Sequence, residues 1–149
     1  MTTNASMKML IGSVEQRTEG ALATWQSMRQ ECQQALDKLE VLKRHRERYS
    51  ELLRGGLQNG MSGFATSAYL GFIKKIDDVV LTQQGEVIRI EAACARQWEQ
   101  VVALRREKRT YELLGERSET RELQTALRRS QREIDDVLQR AASLPALFN

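Results

Sequence analysis

The chain has 149 residues, with 23 Lys+Arg against 20 Asp+Glu for a net charge of +3, and is 41% hydrophobic, 29% charged and only 5% aromatic. This is the composition of long helices, and basic residues that mostly have acidic neighbours argue against a nucleic-acid partner. A chain of this length drawn out into two helices encloses no pocket, which disfavours enzymatic chemistry.

The opening stretch MTTNASMKMLIGS has neither a signal-like apolar segment nor the roughly 20 apolar residues of a membrane span, so a cytosolic location is expected. From Met7 a hydrophobic residue recurs at alternating spacings of four and three: Met7, Ile11, Val14, Thr18, Ala21, Trp25, Met28, Cys32, Ala35, Leu39, Leu42, Arg46, Tyr49, Leu53. Only Thr18 and Arg46 break this seam. Chance would fill about six of the fourteen positions, so the spacing predicts a coiled-coil helix over about residues 5–54. Cys32 lies in the seam and shows no CxxC or Cys/His ligand spacing. With Cys94 it reads as a buried small hydrophobe, outside any disulfide or metal site.

The first helix is expected to end at Leu53-Arg54-Gly55-Gly56, and the Gly/Asn/Ser cluster that follows predicts a turn over about residues 55–65. Ser62 or Thr66 can cap the next helix, expected over about residues 66–142. Its seam runs Tyr69, Ile73, Ile76, Val80, Gln83, Val87, Ile90, Cys94, Gln97, Val101, Leu104, Lys108, Tyr111. Two heptad helices joined by so short a connection must fold back on one another. The expected fold is therefore all-α, an antiparallel two-helix coiled-coil hairpin forming a single domain over residues 1–149. Residues whose numbers sum to roughly 120 should face each other, placing Lys43 and Arg44 near Asp77 and Asp78, and Glu15 near Arg105 and Arg106.

The arms are unequal. At 1.5 Å per residue the first is about 70 Å long and the second about 115 Å. From about Leu113 onward the second helix should lack an intramolecular partner, with its seam shifting around Gly115 and resuming as Leu123, Leu127, Ser130, Ile134, Val137 and Ala141. This segment is either a frayed tail or a projecting helix whose apolar stripe meets a partner. Pro145, the lone proline, lies too late to interrupt it.

After the turn the second helix carries more apolar residues than one seam needs. Phe72, Ile76, Val79 and Gln83 make a row beside it, which is either an exposed patch or is covered by Leu57, Met61 and Phe64 of the turn. The basic clusters at 43–46 and 105–109 have no interleaved aromatic residues and face acidic ones, as solvated charged faces do. His45, the only histidine, has no cleft in which to act. There is no GxxxxGK[ST] loop, and no cofactor or small-molecule substrate is expected.

Four stretches then resemble the flagellar export protein FliJ family: MRQECQQALDKLEVLKRHRERYSELL at 28–53, NGMSGFATSAYLGFIKKIDDVVLTQQGEV at 59–87, LRREKRTYELLGERSE at 104–119 and REIDDVLQR at 132–140. Their order and spacing around the turn carry the likeness, which spans about residues 20–140. The resemblance implies a non-enzymatic cytoplasmic component of the flagellar type III export apparatus, held at the inner face of the membrane at the flagellar base. It implies a stalk-like coiled coil that docks in a hexameric export ATPase ring, promotes ring assembly, couples it to the cytoplasmic linker of the transmembrane export gate protein, and binds export chaperones. By position, Phe72, Ile76, Val79 and Gln83 match the family's gate-binding row. The late stripe Leu123, Leu127, Ile134 and Val137 would suit the ATPase ring, because few, apolar contacts tolerate rotation within it. Competing readings are an injectisome stalk protein of a virulence secretion system, a nucleic-acid-binding coiled coil, and a purely structural homodimer.

Overall fold

The computed structural model describes residues 2–144 and contains two α-helices, α1 over Thr2–Gln58 and α2 over Gly63–Ser143, with no strand among the described residues. They pack against each other in an all-α hairpin. Both helices are longer than the heptad pattern alone predicts. α1 runs through Gly55 and Gly56 to Gln58, so the turn narrows to residues 59–62. Pro145 lies outside the described residues.

The reason for the late ending is a C-cap. The Met61 N–H donates to Gly56 O at 2.8 Å and the Gly60 N–H to Leu57 O at 3.4 Å, while Gly60 takes φ +82°. This is a Schellman motif, which needs a residue able to adopt the left-handed conformation at Gly60, not at Gly55 or Gly56. Gly56 serves a different end: the Met61 side chain lies over it, and a Cβ there would meet the Met61 methyl at 2.0 Å. Ser62 caps α2, its Oγ accepting from Ala65 N–H at 3.2 Å.

The chain divides into two compact units, one comprising Glu19–Val102 and the other the residues up to Thr18 together with those from Ala103 onward. In the Glu19–Val102 unit the core is a cluster of Ala35, Leu39, Val80, Val87 and Ile90, with Cys32, Leu42 and Ile76 packed against it. Trp25 and Trp98 meet across the helices at 4.7 Å between ring centroids, and the Arg29 guanidinium lies 5.0 Å over Trp25. The side chain of Gln83 donates to Ala35 O, and that of Gln97 to Ala21 O, each at 2.9 Å. Arg46 does not break the seam; it bonds Asp77 across it. Its partner there was expected to be Lys43 or Arg44, but Arg44 turns to Glu40 on its own helix. A cation standing in the seam itself reaches the facing helix more directly than one on its flank.

In the other unit Val14 is completely enclosed. Thr18, the second apparent break, is half-buried with its hydroxyl donating to Val14 O at 2.7 Å, which satisfies it inside the seam. Glu15 pairs with Lys108 at 3.0 Å, not with Arg105 or Arg106 as expected, and Arg17 pairs with Glu107 at 3.0 Å. The paired stretch is longer than the sequence suggests. Gly115 and Ser118 remain half-buried in unbroken heptad spacing, and Asn4 donates to Glu119 at 3.3 Å. The seam neither shifts at Gly115 nor loses its partner at Leu113. Every described residue from Glu119 onward is exposed, while the helix continues to Ser143.

Candidate functional site

No helix of the described residues is long and apolar enough to cross a membrane, and no group of three or more His, Cys, Asp or Glu stands ready to hold a metal ion among them. The surfaces with something to offer are apolar. Spacings of four and three put Phe72, Ile76, Val79 and Gln83 on neighbouring turns of α2, beside the seam. The structure divides this row. Ile76 packs against the core cluster, and Gln83 spends its amide on the Ala35 carbonyl, so both belong largely to the hairpin. Phe72 and Val79 are 46% and 50% exposed and form the outward part.

Phe72 does not stand alone. Its ring lies 4.6 Å from that of Tyr49 at an interplanar angle of 59°, and Tyr69 completes the group 6.4 Å from Tyr49. Tyr49, Ala68, Tyr69 and Phe72 line an open hollow of about 330 Å³. Tyr49 and Tyr69 were legible only as seam residues; that Tyr49 and Phe72 have numbers summing to about 120 is the signal that joins them. The turn does not cover this surface. Phe64 is 88% exposed, Leu57 is also exposed, and Met61 is occupied with Gly56.

The second apolar surface is the helical stripe of Leu123, Leu127, Ile134 and Val137, all exposed, which Leu138 widens. Leu138 was not singled out from the sequence, because it sits one position off the heptad. Ser130, Glu133, Ile134, Val137 and Leu138 border a shallow hollow there.

Electrostatics at these surfaces is mild and structural. Asp77 holds the Arg46 guanidinium even more firmly protonated than usual, and Glu15 does the same for Lys108. The hydrogen bond from Arg17, opposed by some desolvation, holds the Glu107 carboxyl below its ordinary value. Cys32 and Cys94 are free thiols and only half-buried; burial pushes the Cys32 thiol up, away from reactivity.

Against known families, the model for the flagellar FliJ protein matches residues 3–146, nearly the whole chain. The chain belongs to this family. Membership makes it a flagellar protein associated with protein export and flagellum biogenesis. The match also takes in residues 3–19, which lie outside the stretch that carried the likeness in the sequence. No curated protein and no solved structure matches the chain.

Proposed function

We propose that this chain is a non-catalytic stalk of the flagellar type III export apparatus. In this reading it docks in the ring of the hexameric export ATPase through the stripe of Leu123, Leu127, Ile134 and Val137, promotes ring assembly, and reaches the cytoplasmic linker of the export gate protein through Phe72 and Val79. It works in the cytoplasm at the inner face of the membrane and also binds export chaperones. The observation that carries the reading is the family match over residues 3–146. The uncovered stripe and the outward pair Phe72 and Val79 support it, since apolar faces at helical spacing suit docking into a partner's groove. The flagellar match favours this system over an injectisome.

The test is truncation. Because pairing extends to Glu119, the cut belongs after Arg121 and not at Leu113. A chain ending at Arg121 should keep its melting temperature and its retention of the gate linker, and lose its stimulation of ATP hydrolysis by the export ATPase. Full stimulation by the truncated chain would remove the stripe from the ATPase contact.

A further inference from the structure

The end of the hairpin is chemically unlike the rest of the molecule. From Gly55 to Ile73 no residue carries a charge, nineteen in succession in a chain that is 29% charged. Phe64, Leu70 and Leu57 stand out from it at 88%, 55% and 53% exposure, more than isolated surface apolar residues of a soluble helix usually show together. Much of the backbone polarity of the turn is already satisfied by the Schellman bonds and the Ser62 cap, which lowers the cost of taking this end out of bulk water.

The charges that first follow this run on either helix are basic: Arg54 on α1 and Lys74 and Lys75 on α2. None of the three makes an ion pair with a described residue, whereas Asp77, the nearest acid on α2, is engaged by Arg46. Apolar side chains standing out from the helix ends at the turn, with cations nearer to it in sequence than the acids Glu51, Asp77 and Asp78, suit a deformable anionic surface better than a preformed protein pocket. We propose that the turn end of the Glu19–Val102 unit is a membrane-interface anchor, in which Phe64, Leu57 and Leu70 enter the headgroup–acyl boundary of an anionic bilayer while Arg54, Lys74 and Lys75 meet its phosphates. The insertion is interfacial, since no helix of the described residues can cross a membrane. Its apolar residues Leu57, Phe64 and Leu70 are distinct from the Phe72–Val79 pair, although Lys75 lies one turn from each of those two, and its apolar part holds independently of the export-gate contact.

Flotation of the full chain with lipid vesicles tests it. The chain should float with vesicles of phosphatidylcholine mixed with phosphatidylglycerol, float poorly with phosphatidylcholine alone, and be released by added salt. Lys74→Glu/Lys75→Glu should weaken binding to the mixed vesicles by at least about 25-fold, at roughly fivefold for each lysine lost. Leu57→Ser/Phe64→Ser should abolish flotation with helical circular dichroism unchanged, both side chains being exposed. A Phe64→Trp chain should gain a blue-shifted emission component on the mixed vesicles. A wild-type chain that does not float, a Leu57→Ser/Phe64→Ser chain that floats equally well, an unshifted Phe64→Trp emission, or retention of a gate-protein domain by this end without any vesicle binding would each overturn the anchor.

Discussion

Gln83 lies across the hairpin from Ala35, and its side-chain amide donates to the Ala35 backbone carbonyl at 2.9 Å. The single methyl of alanine leaves that carbonyl open to the facing helix. The same arrangement recurs between Gln97 and Ala21. A glutamine in a coiled-coil seam trades stability for register, because its polar head is satisfied only in alignments that bring an open carbonyl opposite it.

Gln83→Ala should therefore lower stability by about 1 kcal/mol, the net worth of one such bond with a little packing. Gln83→Leu should match or exceed the natural melting temperature. Combined with Gln97→Leu it should broaden the distribution of distances between spin labels on the two helices. A single sharp distance in that double variant would mean that the glutamines do not set register.

Leu39 tests the core. It sits in the cluster with Val80, Val87 and Ile90 and is 9% exposed. Leu39→Ala should cost toward the lower end of about 2–5 kcal/mol, since a two-helix layer relaxes around a vacancy more readily than a thick core. Leu39→Asp should abolish much of the helical circular dichroism, because the charge finds no partner there.

Phe72 and Val79 should separate in a way that spacing alone conceals. Val79→Ala removes a half-exposed side chain and should leave the melting temperature within a degree or two. Phe72→Ala also loses the ring contact with Tyr49, worth roughly 0.5–1.5 kcal/mol beyond its area, so it should melt measurably lower while remaining folded. Both should weaken retention of the export-gate linker. Undiminished retention by a folded double variant would retire this surface.

Glu107 carries the pH dependence. Its carboxyl is lowered from the ordinary 4.5 chiefly by the hydrogen bond from Arg17, and Tyr111 also donates to it at 3.2 Å. A lowered carboxyl binds fewer protons folded than unfolded, so the stability it contributes is present above pH 4.5 and is lost as pH falls through its folded value. The exposed setting keeps the effect small. Thermal melts of the natural chain and of Glu107→Gln should converge as pH drops below 4.5 and differ above it. Parallel curves throughout would remove the pair from the balance.

Much of this architecture was legible because heptad spacing is a direct image of helical geometry: all fourteen seam positions of α1 and all thirteen of α2 are buried or half-buried. What escaped was whatever depends on how a particular side chain bends. Arg46 read as a break, yet it reaches Asp77 on the facing helix, just as Lys108 of the second seam reaches Glu15. Gly55 and Gly56 read as a stop, although the positive φ falls at Gly60. At the outward surface the spacing found Phe72 and Val79 but placed Gln83 in both the seam and the outer row and could not choose between them, since an amide suits a surface or a carbonyl equally well.

The spacing of the two glutamine contacts has a consequence of its own. Ala21 and Ala35 are separated by the same fourteen residues as Gln83 and Gln97. The marks therefore work as a ruler with a repeated graduation. A slip of two heptads would let Gln97 find Ala35 and strand Gln83 opposite Tyr49, a half-correct alignment that the closed turn at Gly60 and contacts made once, such as the Arg46–Asp77 pair and the Trp25–Trp98 ring contact, penalise further. The hairpin is thus read by two scales at once, a coarse periodic one and a few marks that occur only once, and it is the latter that make its alignment unique.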